Sequence, residues 1–210
     1  MRSEPPHTPA VSPRTGWRVR TQRPDELPEV MALGDLAFGP QEGIGALVEA
    51  LQADDGFSGR SYVAVDGERI VGHTMLTRAW VDTEDRLVTI PVLSPLSVRP
   101  EHQRRGVGRA LVAYAVAQAE ADGAIGVVLE GDPAYYRRLG FEAAGDRGFG
   151  RPSDRIPAAA FQCWPLPSYD EGLGGRLVYP DVWWRHDAAG LRDPDLAFLE
   201  DLFARDHPPA

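Results

Sequence analysis

Apolar positions change their spacing twice along this chain, and those changes mark its elements. Trp17–Thr21 alternates Trp, Val and Thr with Arg18 and Arg20, the period-two pattern of a half-buried strand. Past Pro24 the period lengthens. Leu27, Val30, Met31, Leu33 and Phe38 fall near helical spacing over residues 26–38, and Ile44, Leu47, Val48 and Leu51 do so over 44–52. The middle of the chain predicts strands. Residues 61–65 run into the turn pair Asp66-Gly67, and 69–81 follow as the hairpin partner. A third long strand, 86–98, carries Pro91 and Pro95. Proline removes a ladder donor, so this strand is expected at an edge, with a bulge, or broken early.

Residues 106–122 form the clearest amphipathic helix, with Val107, Leu111, Tyr114, Ala115 and Ala119 on one face and Gly123 placed to stop it. Residues 124–129 read as a buried strand. Asp132-Pro133 supplies an N-cap and a proline at the first helical position, opening a short helix over 133–139. Gly140 ends it, and Phe141 begins the next strand. Beyond that point the pattern weakens: strands are expected at 158–164 and 175–184 across a Pro/Gly-rich loop. A closing helix is expected at 193–205, capped by Asp193 ahead of Pro194. Residues 1–16 are rich in Pro, Ser and Thr and read as a flexible leader. The predicted layout is therefore one α/β domain over 17–165 with a mixed sheet, and a C-terminal extension over 166–210 packed on it.

Composition narrows the function classes. The 210 residues are 43% hydrophobic and 25% charged, values of a globular chain. A net charge of −9 argues against a general nucleic-acid binder, and is compatible with cationic substrates. The single cysteine, Cys163, excludes an intrachain disulfide and a Cys-based zinc site; it lies in an apolar run and reads as a buried thiol. No metal is expected. No apolar run approaches the roughly 18 residues of a membrane span, and the N-terminus has no apolar signal region, so a cytoplasmic protein is expected.

The chemistry concentrates at the start of the 106–122 helix. Leu96-Ser97-Val98-Arg99-Pro100-Glu101-His102-Gln103-Arg104-Arg105-Gly106-Val107-Gly108-Arg109-Ala110 runs strand, loop, helix. A helix N-terminus presents unpaired N–H groups and a partial positive charge, which attract phosphate. Gly106 and Gly108 let the backbone approach a pyrophosphate, and Arg104, Arg105 and Arg109 add positive charge to an otherwise acidic chain. The third glycine of a dinucleotide fingerprint is missing, as are the spacing and lysine of a nucleotide P-loop.

This stretch resembles the acetyl-CoA motif [Q/R]-x-x-G-x-[G/A] of the GCN5-related N-acetyltransferase (GNAT) superfamily, with Gln103, Gly106 and Gly108 at its fixed positions. Downstream, Tyr136-Arg137-Arg138-Leu139-Gly140-Phe141 resembles the superfamily's Y-x-x-x-G-F ending. The doubled tyrosine after Gly131-Asp132-Pro133 is similar to a bacterial subgroup of the YhbS type. The resemblance implies a central twisted sheet flanked by helices, with two parallel strands splayed apart to hold acetyl-CoA, here 86–98 and 124–129. It implies cofactor contacts from the backbone of Leu96, Ser97 and Val98, and from Gln103, Arg104, Arg105, Gly106, Val107, Gly108, Arg109 and Ala110. A backbone N–H near Val98 would stabilise the oxyanion. Tyr136 takes the place of the general acid, and Tyr135 packs or shapes the acceptor pocket. Glu130 is the preferred base, with Asp132 and His73 as the other candidates; Asp132 also reads as an N-cap. His102 reads as exposed. Tyr179 and the pair Trp183-Trp184 line a pocket or belong to the core.

The implied activity is acetyl transfer to an amine of a small molecule or a protein. The alternatives are a degenerate acyl-CoA-binding sensor, and a partner-binding α/β protein that uses the 193–205 helix as its contact surface. The acceptor is not legible, and a strand-mediated homodimer stays open.

Overall fold

A computed structural model describes residues 16–54, 56–57 and 59–206. The leader expected over 1–16 therefore lies, up to residue 15, outside the described residues. The chain runs β1 (Trp17–Thr21), α1 (Leu27–Phe38), α2 (Ile44–Ala53), β2 (Ser61–Asp66), β3 (Arg69–Asp82), β4 (Leu87–Val98) and α3 (Val107–Ala121). It continues through β5 (Gly126–Glu130), α4 (Pro133–Tyr136), β6 (Glu142–Ala143), β7 (Phe149–Gly150), β8 (Phe161–Pro165), β9 (Gly175–Val178), α5 (Asp181–Arg185) and α6 (Asp195–Asp206). Among the described residues no helix is long and apolar enough to cross a membrane.

The strands form one mixed sheet in the order β1-β2-β3-β4-β5-β8-β6, with β9 on the free side of β3's far end. The neighbours along that path are antiparallel except β4 and β5, which are parallel and meet at the single register pair Val92↔Val128. Period-two alternation sorts side chains to two faces. Val63, Met75, Ala79 and Val128 join a core with Val30, Leu33, Leu47 and Val48 of α1 and α2. Tyr62, Ala64, Leu76, Val127 and Leu129 join a second core with Leu111, Val112, Ala115 and Val116 of α3. A fully buried Val or Leu in either core is worth about 1.5–3 kcal/mol over leaving it in water.

Of the two β4 prolines, Pro91 keeps register with Arg78 and Pro95 lies in a bulge; the strand is not at an edge. Thr74 pairs Leu96 and Leu76 pairs Leu93, so Ser94 and Pro95 together stand opposite Met75 alone. The extra residue reverses which face β4 presents. Before it, Val92 belongs to the α1–α2 core; after it, Leu96 and Val98 pack on the α3 side. β4 holds its central place because β3 pairs it along nearly its whole length.

Two other expectations need correction. The 175–184 segment is not one strand: β9 ends at Val178, Pro180 breaks the ladder, and Asp181 opens the short helix α5. Of the strand expected at 158–164, Ala158–Ala160 form a 3-10 turn and pairing begins only at Phe161. Cys163 is buried on β8, where desolvation pushes its thiol up to about 12.

Candidate active site

The loop between β4 and α3 is held open by its own backbone. Arg104 and Gly106 both adopt positive φ, 57° and 89°. Gly106 is the N-cap, so no side chain caps the helix, and the first intrahelical bond runs from the Ala110 N–H to the Gly106 carbonyl. The N–H groups of Val107, Gly108 and Arg109 consequently have no acceptor within the helix. A Cβ on Gly106 would meet nothing within 4 Å, whereas one on Gly108 would stand 2.6 Å from the Tyr135 hydroxyl. The Gln103 amide donates to the Val98 carbonyl (3.2 Å), tying the loop to the end of β4.

These residues line a cavity of about 450 Å³ formed by Leu96, Val98, Gln103, Arg104, Gly106, Gly108, Arg109 and Tyr135, with Ala37 and Phe38 from α1. The other expected contacts fall outside its lining. Val107 is buried beneath it, Arg105 is exposed, and Ala110 is partly buried against the α3 core. The Ser97 side chain is buried on the opposite face. The loop fits an anionic, phosphate-bearing ligand: free N–H donors, space where a side chain would stand, and Arg104 and Arg109 beside them.

A larger cavity, of about 690 Å³, opens at the gap between β4 and β5. Val92 and Ser94 of β4, Glu130 of β5 and Gly131 just past it line this cavity, and Phe38 borders both cavities. The wide gap follows from the topology, since past Val92 and Val128 the two strands no longer pair.

Glu130 stands in the larger cavity. Its Oε2 accepts a hydrogen bond from the Gly190 N–H at 3.1 Å. Burial pushes its carboxyl up to about 7, against the smaller opposing influence of Tyr179, Gly190 and Arg155. Tyr179, buried beside it, is pushed well above the usual phenol range by the same burial and by the carboxylate. The two groups make no well-formed hydrogen bond. Glu130 Oε1, the Tyr179 hydroxyl and Trp183 Nε1 are all buried without a partner. The Gly190 loop is anchored from outside: Arg155 pairs with Asp187 (2.9 Å), and its carbonyl accepts from the Leu191 N–H (2.9 Å).

The remaining candidates separate cleanly. Asp132 lines the larger cavity, and its Oδ1 accepts from the Ala134 N–H at 2.7 Å, the N-cap its sequence position predicts. His73 does not reach the site. It is wholly buried, its Nε2 lies 2.8 Å from Ser61 Oγ, and desolvation lowers its pKa to about 3, so it is set aside as a base. His102 is more sheltered than expected, its side chain 13% exposed and 3.6 Å from Asp66.

The tandem tyrosines stack edge-on, with ring centroids 4.9 Å apart. Tyr135 points its hydroxyl at the anion loop. Tyr136 packs against Phe141 and behind Gly131, where any Cβ would collide with its ring, and it borders neither cavity. Burial raises its pKa. Tyr179 and Trp183 line the larger cavity, Trp184 is half-exposed outside it, and the C-terminal residues 186–203 complete its wall.

A mixed sheet whose parallel pair β4–β5 splays beside a helix-start anion site places the chain among α/β proteins with a phosphate-suited loop. Residues 18–144 match the model of the acetyltransferase (GNAT) domain, and the chain belongs to that family of acyltransferases. It is 32% identical over 133 residues to the uncharacterized N-acetyltransferase YjhQ of Escherichia coli K12, covering 63% of this chain and 73% of that one. It is also 32% identical to YhbS of the same strain, over 60% and 74%. The structure of E. coli YhbS in complex with CoA superposes with a TM-score of 0.73 at 27% identity, over 84% of this chain and 96% of that one. A GNAT acetyltransferase from Brucella melitensis in complex with acetyl-CoA gives 0.65 at 27% identity, over 80% and 97%.

Proposed function

We propose that the protein transfers an acetyl group from acetyl-CoA to a primary amine by direct attack on the thioester, with Glu130 as base and Tyr136 as acid. One observation carries this reading: a phosphate-binding cavity and a carboxylate-bearing cavity adjoin where β4 bulges and parts from β5. Relatives of the same fold hold CoA and acetyl-CoA, which supports that donor.

On the donor side, the free N–H groups of Val107, Gly108 and Arg109 receive the pyrophosphate, and Arg104, Arg105 and Arg109 offset its charge. Gln103 and Ala110 shape the loop, and the backbone of Leu96, Ser97 and Val98 pairs with the pantetheine. On the acceptor side, Glu130 takes the proton that the amine loses as its nitrogen bonds to the thioester carbon. A carboxyl poised near 7 suits that exchange. A backbone N–H near Val98 stabilises the oxyanion. As the C–S bond breaks, the thiolate takes a proton from the Tyr136 hydroxyl.

The test is acetyl-CoA consumption over an amine panel with two single variants. Tyr136→Phe is expected to lower kcat by about a hundredfold or more, the scale of general-acid loss, with CoA affinity kept. Tyr135→Phe is expected to weaken CoA binding instead. A kcat loss confined to Tyr135→Phe would move the acid to the hydroxyl that faces the loop. One observation favours a second reading, a CoA-binding module without turnover: Tyr136 borders neither cavity. CoA binding in calorimetry with no acetylated product from any amine would select it.

A further inference from the structure

The wall of the larger cavity is chemically lopsided. Its β5 end carries Glu130 and Asp132, and Glu42 adds a third carboxylate; Asp187 is already paired with Arg155 and Arg192, and the lining includes His186 but no arginine or lysine. Much of the remaining wall is apolar, including Phe38, Ile44, Trp183, Leu199, Leu202 and Phe203. The last three belong to α6. That helix turns Leu199, Leu202 and Phe203, spaced i, i+3 and i+4, toward the cavity and not into either core, which contain none of them. Leu202 is 38% exposed, an apolar contact left incomplete. Near the acidic end, the Tyr179 hydroxyl and Trp183 Nε1 are buried without partners. About 690 Å³ is room for one small organic molecule, and apolar walls with a few convergent polar groups are how such sites are built.

We infer that the acceptor is a small primary amine carrying an apolar body, its amino group placed at Glu130 and its body held between Phe38, Trp183 and the apolar face of α6. The inference rests on the acetyl-transfer reading and assigns its substrate class. The carboxylates draw a cationic amine inward; it gives one proton to solvent to become the neutral nucleophile, and Glu130 accepts the second as the nitrogen bonds to the thioester carbon. The apolar body covers the surface that α6 leaves unpaired, at roughly 25 cal/mol for each Å² withdrawn from water. Polyamines lack that body, and a polypeptide N-terminus would bring polar backbone against walls with few groups to satisfy it.

The probes are 2-phenylethylamine and n-hexylamine against ethanolamine, spermidine and a short peptide bearing a free N-terminus and a lysine. The chain itself contains no lysine, so self-acetylation at lysine adds no background. Acetyl transfer at saturating acetyl-CoA is expected to give kcat/KM at least tenfold higher for the two apolar amines. Leu202→Glu, at a partly exposed position that tolerates charge, is expected to raise KM for 2-phenylethylamine about tenfold while ethanolamine changes less than twofold. Leu199→Ala is the second variant, expected to move KM the same way by a smaller factor. Preference for ethanolamine, spermidine or the peptide overturns the inference and leaves acetyl transfer intact. Equal KM shifts for polar and apolar amines in both α6 variants also overturn it. Calorimetric binding of 2-phenylethylamine, weakened by Leu202→Glu but without turnover, upholds the cavity assignment and removes the transferase reading. If the apolar amines show no binding and no turnover, the inference is overturned.

Discussion

Glu130 concentrates the physics of the site in one side chain. Its folded pKa, about 7, lies above the reference of 4.5, so the folded state holds the proton more tightly than the unfolded one. The cost of burying it charged is absent below about pH 4.5, grows through the interval, and is complete above pH 7. Its ceiling is on the order of 3 kcal/mol. Glu130→Gln should therefore be more stable than the native chain at pH 8 and nearly equal to it at pH 4.5, measured by urea unfolding at both values. Catalysis should run the opposite way: as a base Glu130 must be ionised, so kcat/KM should rise with an apparent pKa near 7. Loss of that limb in Glu130→Gln would be the kinetic signature. The residue type and its place at the end of a strand were legible in the sequence. Its shifted pKa was not, because the burial comes from Tyr179 and the 186–191 loop, which lie about fifty to sixty residues further along.

Elements explain why those distant residues arrive. β9 pairs with the far end of β3, and Pro180 then turns the chain into α5, which sets Trp183 and the Gly190 loop over β5. Gly190 is a tight point of that return. Its φ is +75°, and a Cβ there would stand 2.5 Å from the Arg155 carbonyl oxygen. Gly190→Ala is expected to destabilise the fold by more than about 1 kcal/mol, from left-handed strain plus the clash, and to draw the N–H away from Glu130. A lower urea midpoint together with a shifted pH profile would show both effects. Helices α1, α2 and α3 were read within one residue of their observed bounds, because each carries a strong periodic face. The 175–184 run was misread because its apolar residues suit either period; Pro180 followed by Asp181 was the signal that divides it.

At the scale of the whole molecule, the sheet sorts the elements that build the two cavities between its faces. α3 and the anion loop serve one face, α1, α2 and the C-terminal elements the other, and the β4 bulge joins them. The chain carries a net charge of −9, so the donor's phosphates depend on the local arginines at the loop. Acetyl-CoA at a hundred times its Kd should stabilise the fold by about 2.7 kcal/mol, read as a raised Tm. Gly108→Val is expected to remove most of that shift, because its side chain would press on the Tyr135 hydroxyl and cover the free N–H groups. An unchanged ligand-induced shift would place the pyrophosphate elsewhere.

The amino-acid sequence by itself determined the local features: the strand and helix periods, the Asp132 cap, and the phosphate loop at Gln103–Gly108, whose function depends on contiguous backbone N–H groups. It also carried the family resemblance through Tyr136 and Gly140-Phe141. Only the tertiary structure decided which face each half of β4 presents, which tyrosine reaches the loop, and that His73 is sealed in the core. It likewise decided that the larger cavity is walled by α6. Those are outcomes of long-range pairing and burial, which join residues far apart in the chain and leave no local pattern to read.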